Sequence, residues 1–380
     1  MLPHSLPPLS LYIHLPWCVK KCPYCDFNSH AKTDIPESAY LNSLIKDLHI
    51  DLAYVQDREV QSIFFGGGTP SLMSGDFYRQ LLNALRENLN FSEDIEITLE
   101  ANPGASDAAY FNGYVEAGIN RISLGVQSFQ NNQLQALGRI HTVDHVYQAV
   151  EALKAAGIRN FNIDLMHGLS DQTPELAMDD LKRAFELSPT HVSWYQLTIE
   201  PNTEFYSRPP VIPEDDALWE IIESGSGLLK DKGYQQYEVS AFAQQDKQAR
   251  HNLNYWEFGD YIGLGAGAHS KITLAGDGRL LRYRKSRIPE AYMADRIQYR
   301  IGEEVIERDA QAFEFMMNAL RLKQGVESRL LERRTLLKLS DLSKIIDQLR
   351  SEGLFVEDTQ RIQLTDEGFL FLNSVLERFL

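Results

Sequence analysis

Eight residues hold every cysteine of this chain: Cys18-Val-Lys-Lys-Cys22-Pro-Tyr-Cys25. A thiolate is a soft ligand that suits iron–sulfur clusters and zinc. Three thiols at CxxxCxxC spacing in one loop can face a common centre, yet a closed site takes four ligands. A set of three leaves one metal position open, which is how catalytic sites differ from structural ones. Two plainer readings use the same residues: small buried side chains in a reducing cell, or a zinc clip completed by His14 or His30.

Other polar residues follow or interrupt apolar runs. Gly66-Gly67-Gly68-Thr69-Pro70 follows the run 60–65. Glycines there let a ligand approach the backbone and leave amide N–H groups to bind it, although a tight turn explains the same run. Glu100 ends the run 95–99, where a carboxylate suits a ligand's hydroxyl or ammonium groups, or simply meets solvent. Gln127 ends 122–126, and Arg139 follows in Leu137-Gly-Arg-Ile-His141. Asp164 interrupts the apolar run 161–165 and needs a partner, because an unpaired buried carboxylate is costly. Either Arg139 or a ligand would serve.

These residues need elements to position them. Apolar runs at 9–15, 60–65, 95–99, 122–126, 161–165 and 192–199 alternate with helical stretches at 36–56, about 76–90, 107–117, 143–156 and 174–187. In the first helix Tyr40, Leu41, Leu44, Ile45, Leu48 and Leu52 share a face. Pro36 sits near its first turn, where a missing N–H costs little. Strand–helix alternation of this length implies parallel βα units, six in number. A closed barrel has eight, and functional groups of parallel barrels gather at the C-terminal strand ends. The candidates above therefore share one mouth.

Beyond Pro201 the rhythm loosens. A helix is expected over 215–232, then the runs 237–242, Arg250-His-Asn-Leu-Asn-Tyr-Trp256 and the Gly-rich Ile262-Gly-Leu-Gly-Ala-Gly-Ala-His269. A smaller unit starts near Gly302, dividing the chain into 1–300 and 301–380. Helices at 309–322 and 340–351, a hairpin of 353–357 with 361–365, and a last helix make a winged-helix-like α+β pattern. It holds more Asp and Glu than Lys and Arg, a poor footprint for DNA. The whole chain carries a net charge of −16, which argues against any nucleic-acid partner. No apolar run reaches the roughly 18 residues of a membrane span, and the start lacks a signal-peptide pattern. Cysteines confined to one loop leave no disulfide framework, so the expected location is the cytoplasm.

The cysteine motif, with the aromatic Tyr24 before its last member, resembles the cluster motif of the radical S-adenosylmethionine superfamily. YIHLPWCVKKCPYC, FFGGGTPSLM, LEANPG, RISLGVQSF, LGRIH and NIDLMHGL resemble its oxygen-independent coproporphyrinogen oxidase group over about 10–380. That resemblance implies an α/β fold: a partial (β/α)6 barrel with a small C-terminal accessory domain. It implies a 4Fe-4S cluster on Cys18, Cys22 and Cys25, with S-adenosylmethionine on the fourth iron. Tyr12, Gly67 and Glu100 would line the first S-adenosylmethionine. Tyr24, Gly68, Thr69, Gln127, Arg139 and Asp164 would line a second.

Two departures matter. Phe27 stands where the oxidase carries a further cysteine, and only eleven residues precede Tyr12, where the oxidase has a substrate-covering extension. Together with the HNLNYW stretch they resemble the heme chaperone branch. That branch implies heme as cargo and no oxidase turnover or catalytic residues. Its implied partners are heme-accepting proteins, membrane respiratory enzymes among the candidates, which would bring the chain to the membrane surface through a partner. The cluster would control homodimer formation or heme release. The alternative is a radical enzyme that abstracts hydrogen from a porphyrinogen propionate. Neutral imidazole is a common axial donor, so His251 is the expected heme ligand, with Tyr255 and Trp256 against the porphyrin. His14, His167 and His269 are its rivals.

Overall fold

The computed structural model describes residues 5–104, 110–294 and 299–380. Six strands run parallel in chain order: β1 Leu9–Leu15, β2 Val60–Gly67, β3 Phe91–Ala101, β4 Arg121–Gln127, β5 Phe161–His167 and β6 His191–Gln196. Helices Glu37–Asp51, Gly75–Asn88, Phe111–Ala117, Val143–Ala155 and Pro174–Glu186 lie between them. The expected start of the third helix, 107–109, lies outside the described residues.

The sheet extends further than six strands. β7 Gln235–Glu238 and β8 Ala241–Ala243 add antiparallel beyond β6. On the other edge β9 Asp260–Leu264 pairs in parallel with β1, and β10 His269–Thr273, β11 Leu280–Lys285 and β12 Arg300–Ile306 continue antiparallel. The result is one open sheet of 12 strands, a partial barrel and not a closed one. Its seventh parallel strand, β9, was not expected. Only five residues long and broken by Gly263, it carries almost no local strand signal.

Alternation along each strand sorts the side chains, since successive residues point to opposite faces. Leu9, Leu11, Ile13 and Leu15 join Ile63, Leu99, Leu124 and Ile163 in one apolar cluster with Leu44, Leu82, Val150 and Leu181 of the helices. The residues in the other phase are mostly polar and bond one another across strands. Ser10 meets Ser62 at 2.8 Å, Ser123 donates to Asp164 at 3.0 Å, and Tyr195 donates to Gln127 at 2.8 Å. Buried polar side chains persist where such partners satisfy them. One phase therefore builds the core and the other builds the interior site.

A second apolar cluster forms around Phe315, Met316, Leu331, Ile346 and Phe355, and takes in Tyr237, Phe258 and Leu280 from the sheet extension. Its helices include Gln311–Ala319 and Leu339–Ser351. Val326–Glu327 pairs antiparallel with Arg361–Ile362, and Phe355 bridges Leu364, which gives the wing. The last helix is split into Asp366–Leu370 and Leu372–Leu376. β12 spans the expected 300/301 boundary while hydrogen-bonded into the main sheet. Among the described residues no helix is long and apolar enough to cross a membrane.

Candidate functional site

The C-terminal ends of β1–β6 open on a cavity of about 590 Å³. Cys18, Cys22 and Cys25 line it together with Tyr24, Gly67, Gly68, Thr69, Glu100, Gln127, Arg139 and Asp164. Tyr12 lies in an adjoining cavity of about 1070 Å³, which shares Phe27, Gly67, Glu100 and Trp256 with the first. The mouth predicted from strand ends is thus one continuous neighbourhood with two chambers.

The cysteine loop leaves β1 and is held by a short parallel pair, Trp17–Cys18 with His30–Ala31. All three thiols are free. Among the described residues no three His, Cys, Asp or Glu are drawn together as the ligands of a single ion would be. A 4Fe-4S cluster takes one thiolate per iron, so its donors must share a cavity and need not share a point. The three cysteines on one cavity wall fit that requirement. Arg139 places Nη1 at 3.7 Å from Cys22 Sγ, a cation beside a prospective thiolate.

The glycine run departs from its expected role in one respect. Its amide N–H groups are not free: Gly67 donates to Glu100 Oε2 at 3.2 Å, Gly68 to the Leu15 carbonyl at 2.7 Å, and Thr69 to the Trp17 carbonyl at 2.7 Å. These bonds staple the motif to the stem of the cysteine loop. Glycine is required for close approach. A Cβ on Gly68 would meet the Trp17 carbonyl oxygen at 2.5 Å, and Gly67 has φ +116°, with the His14 ring 2.6 Å from any Cβ. What the run offers a ligand is backbone surface and carbonyl acceptors, which suit an ammonium group.

Electrostatics at the floor follow from burial. Burial and the neighbouring Asp164 push Glu100 up to about 8, against the opposing Gly67 N–H. Asp164 is also raised by burial, although Asn162, Ser193 and Ser123 favour its charged form. Its partners within the protein are not the expected Arg139: Asn162 Nδ2 donates to it at 2.7 Å and Ser123 Oγ at 3.0 Å, whereas Arg139 is engaged elsewhere. Arg139 donates to Asn102 Oδ1 and, at 2.8 Å, to the Gly125 carbonyl. Gln127 has φ +71°, a left-handed conformation uncommon for a residue with a side chain. Such outliers collect where surrounding structure fixes a functional side chain.

Sequence reasoning missed Asn102, Ser123, Ser193 and Tyr195, which also line the first cavity. Their signal was available: each sits in the inner phase of its strand or just past the strand's end.

His251 is the largest departure. It lies on the helix Arg250–Trp256 and lines neither chamber. Its ring stacks on Phe64 with centroids 4.1 Å apart, and Nδ1 meets Glu96 Oε1 at 3.3 Å. Burial lowers its pKa against the pull of Glu96. Glu96 precedes Glu100 by four residues on β3, about 13 Å along a strand at ~3.3 Å per residue. The histidine therefore belongs to the barrel floor, and its position, open to neither chamber, does not favour the expected role of heme iron ligand. Tyr255 and Trp256 do reach the larger chamber. Among the rivals, His14 has both nitrogens engaged, by Tyr12 and by the Asn28 carbonyl. His167 is buried against Trp194. His269 is exposed on the larger chamber.

Known proteins share this arrangement. Residues 12–181 match the model of the Radical SAM superfamily, and residues 306–371 match the HemN C-terminal domain. The chain is 51% identical to the heme chaperone HemW of Haemophilus influenzae and 52% identical to that of Escherichia coli, each over 99% of both chains. A mouse mitochondrial relative, radical S-adenosyl methionine domain-containing protein 1, is 31% identical over 97% of this chain and 86% of its own. In structure the chain is similar to the coproporphyrinogen III oxidase HemN of Escherichia coli. The TM-score is 0.82 at 24% identity, over 98% of this chain and 90% of that one. A likeness at that identity speaks to the fold alone. A chain that shares half of its residues with relatives from end to end shares their descent: it belongs to the HemW family, within the Radical SAM superfamily.

Proposed function

We propose that this chain binds heme and hands it to acceptor proteins, with a 4Fe-4S cluster and S-adenosylmethionine at the mouth of its partial barrel. The observation that carries this reading is the full-length likeness to relatives named heme chaperones. Phe27 supports it, because an aromatic ring at 57% exposure stands on the shared rim where the oxidase places a cysteine.

When bound, the cluster would supply an open iron and an electron. The chain's own residues do the rest. Cys18, Cys22 and Cys25 would hold the cluster, and Arg139 would offset its charge beside Cys22. Tyr12, Gly67 and Glu100 would receive one S-adenosylmethionine, Glu100 exchanging its proton for the ligand's ammonium group. Tyr24, Gly68, Thr69, Gln127, Arg139 and Asp164 would line the remainder of the mouth, with room for a second molecule. Residues 1–300 would form the carrier core and 301–380 a docking unit for acceptors. A cytoplasmic protein, dimerising or releasing heme according to cluster state, follows from this scheme.

The test is anaerobic incubation of cluster-reconstituted protein with coproporphyrinogen III, reductant and excess S-adenosylmethionine, beside a genuine oxidase. The carrier reading expects no repeated turnover while the control works. Repeated formation of protoporphyrinogen would overturn it.

A further inference from the structure

The larger chamber has a chemistry of its own. Phe64, Tyr255, Trp256 and Tyr261 give it an aromatic lining, and the hairpin of β10 and β11 gives it cations. His269 is paired with Arg284, and Lys271 with Arg282, across that hairpin. Directly opposed residues carry their side chains on one face within about 5 Å at Cβ, so these four form a two-by-two patch. The inner pair is already neutralised. Lys271 meets Asp260 at 3.0 Å, and Arg282 meets Glu314 at 2.5 Å and Glu304 at 3.7 Å. The outer pair is not. Neither Arg284 nor Arg287, a further lining residue, has an ion-pair partner among the described residues, and both are exposed. The His269 imidazole has no hydrogen-bond partner among them either. Burial and the nearby Arg284, Arg282 and Arg287 keep its pKa below the ordinary value, which favours the neutral ring able to donate to a metal.

An aromatic cavity, an unpartnered imidazole and two unpaired guanidinium groups suit a flat apolar ligand with carboxylates at one edge and a metal that accepts nitrogen. Guanidinium groups recognise carboxylates through paired N–H donors. Arg284 and Arg287 line the larger chamber alone, whereas Gly67 and Glu100 line both, so a ligand held by these arginines would adjoin the S-adenosylmethionine site. At about 1070 Å³ the chamber is as large as the upper end of ordinary small-molecule pockets, ~1,000 Å³.

We propose that heme sits in this chamber beside the cluster cavity, its iron on His269 and its propionates on Arg284 and Arg287. The proposal rests on the heme-carrier reading above and moves the iron ligand from His251 to His269.

Anaerobic titration of the full-length, cluster-reconstituted protein with ferric heme, followed in the Soret region, tests it. Wild type is expected to bind one equivalent. His269→Ala should lose the axial-imidazole spectrum and regain it with added imidazole. The double variant Arg284→Gln/Arg287→Gln should bind heme at least about tenfold more weakly, ~1.4 kcal/mol, but bind heme dimethyl ester as wild type does. His251→Ala should keep the wild-type spectrum. All the substituted mouth residues are exposed, and a thermal melt checks that the variants fold. Wild-type binding with unchanged His269→Ala spectra and unchanged affinity in the arginine variant would overturn this placement and leave the carrier reading standing. No binding by wild type would remove both.

Discussion

Glu100 holds the proton that most affects this site. Burial and Asp164 raise its pKa from 4.5 to about 8. A carboxyl whose folded pKa lies above its unfolded one contributes stability that is complete below about 4.5 and lost as pH rises through about 8. Glu100→Gln is therefore expected to flatten the dependence of melting temperature on pH across that window. A cationic ligand reverses the preference, so S-adenosylmethionine binding near pH 7 should release about one proton in wild type and none in Glu100→Gln. Calorimetry in two buffers of different ionisation heat reads this. Gly68→Ala is a steric test: its Cβ would press on the Trp17 backbone at 2.5 Å, and a loss of about 3 kcal/mol or more in denaturant unfolding is expected. The cysteines and glycines were legible because their chemistry is written in local spacing. The partners of Asp164 were not: Ser123 lies on the neighbouring strand, which spacing alone does not pair, and Asn162, two residues away, turns to the same face only once the stretch is a strand.

Among the elements, the helix Arg250–Trp256 joins the barrel floor to the larger chamber. Its first turn is anchored on Glu96, which accepts from the Arg250 N–H at 2.9 Å and faces Arg121 at 3.9 Å. Burial opposes ionisation of Glu96, but the His251 hydrogen bond and Arg121 outweigh it and leave the carboxyl lowered. Further along, Asn252 donates to Tyr237 Oη at 3.0 Å, and Tyr255 packs edge-on against Tyr261. His251→Ala should thus cost about 2–3 kcal/mol of stability, from a lost stack and a lost charged hydrogen bond, and leave heme stoichiometry unchanged. Urea melts and heme titration of the same variant check both halves. The sequence showed this stretch as unusual but not where it lay. Helix placement depended on β9 joining β1 in parallel, a pairing of residues some 250 positions apart that no local signal encodes.

At the scale of the whole molecule, the barrel and the C-terminal unit share an apolar cluster, with Phe258 and Leu280 packed among Phe315, Met316 and Leu331. Deleting 307–380 would strip these contacts and bare Phe258 and the face of β11. The truncated chain is expected to melt lower than the full chain, and to aggregate, in thermal scattering. The alternation of strands and helices was legible because buried parallel strands read as apolar runs and their helices as amphipathic faces. The extension beyond β6 was not, since short edge strands with glycines and charges resemble loops. The most direct test of the central claim is heme handover. One equivalent of heme is loaded anaerobically on the cluster-reconstituted chain, a heme-free acceptor protein is added, and the Soret band is followed. The carrier reading predicts a saturable one-to-one complex whose band is replaced by the acceptor's. Failure to form that complex with an intact cluster, or heme that never leaves it, would contradict the account.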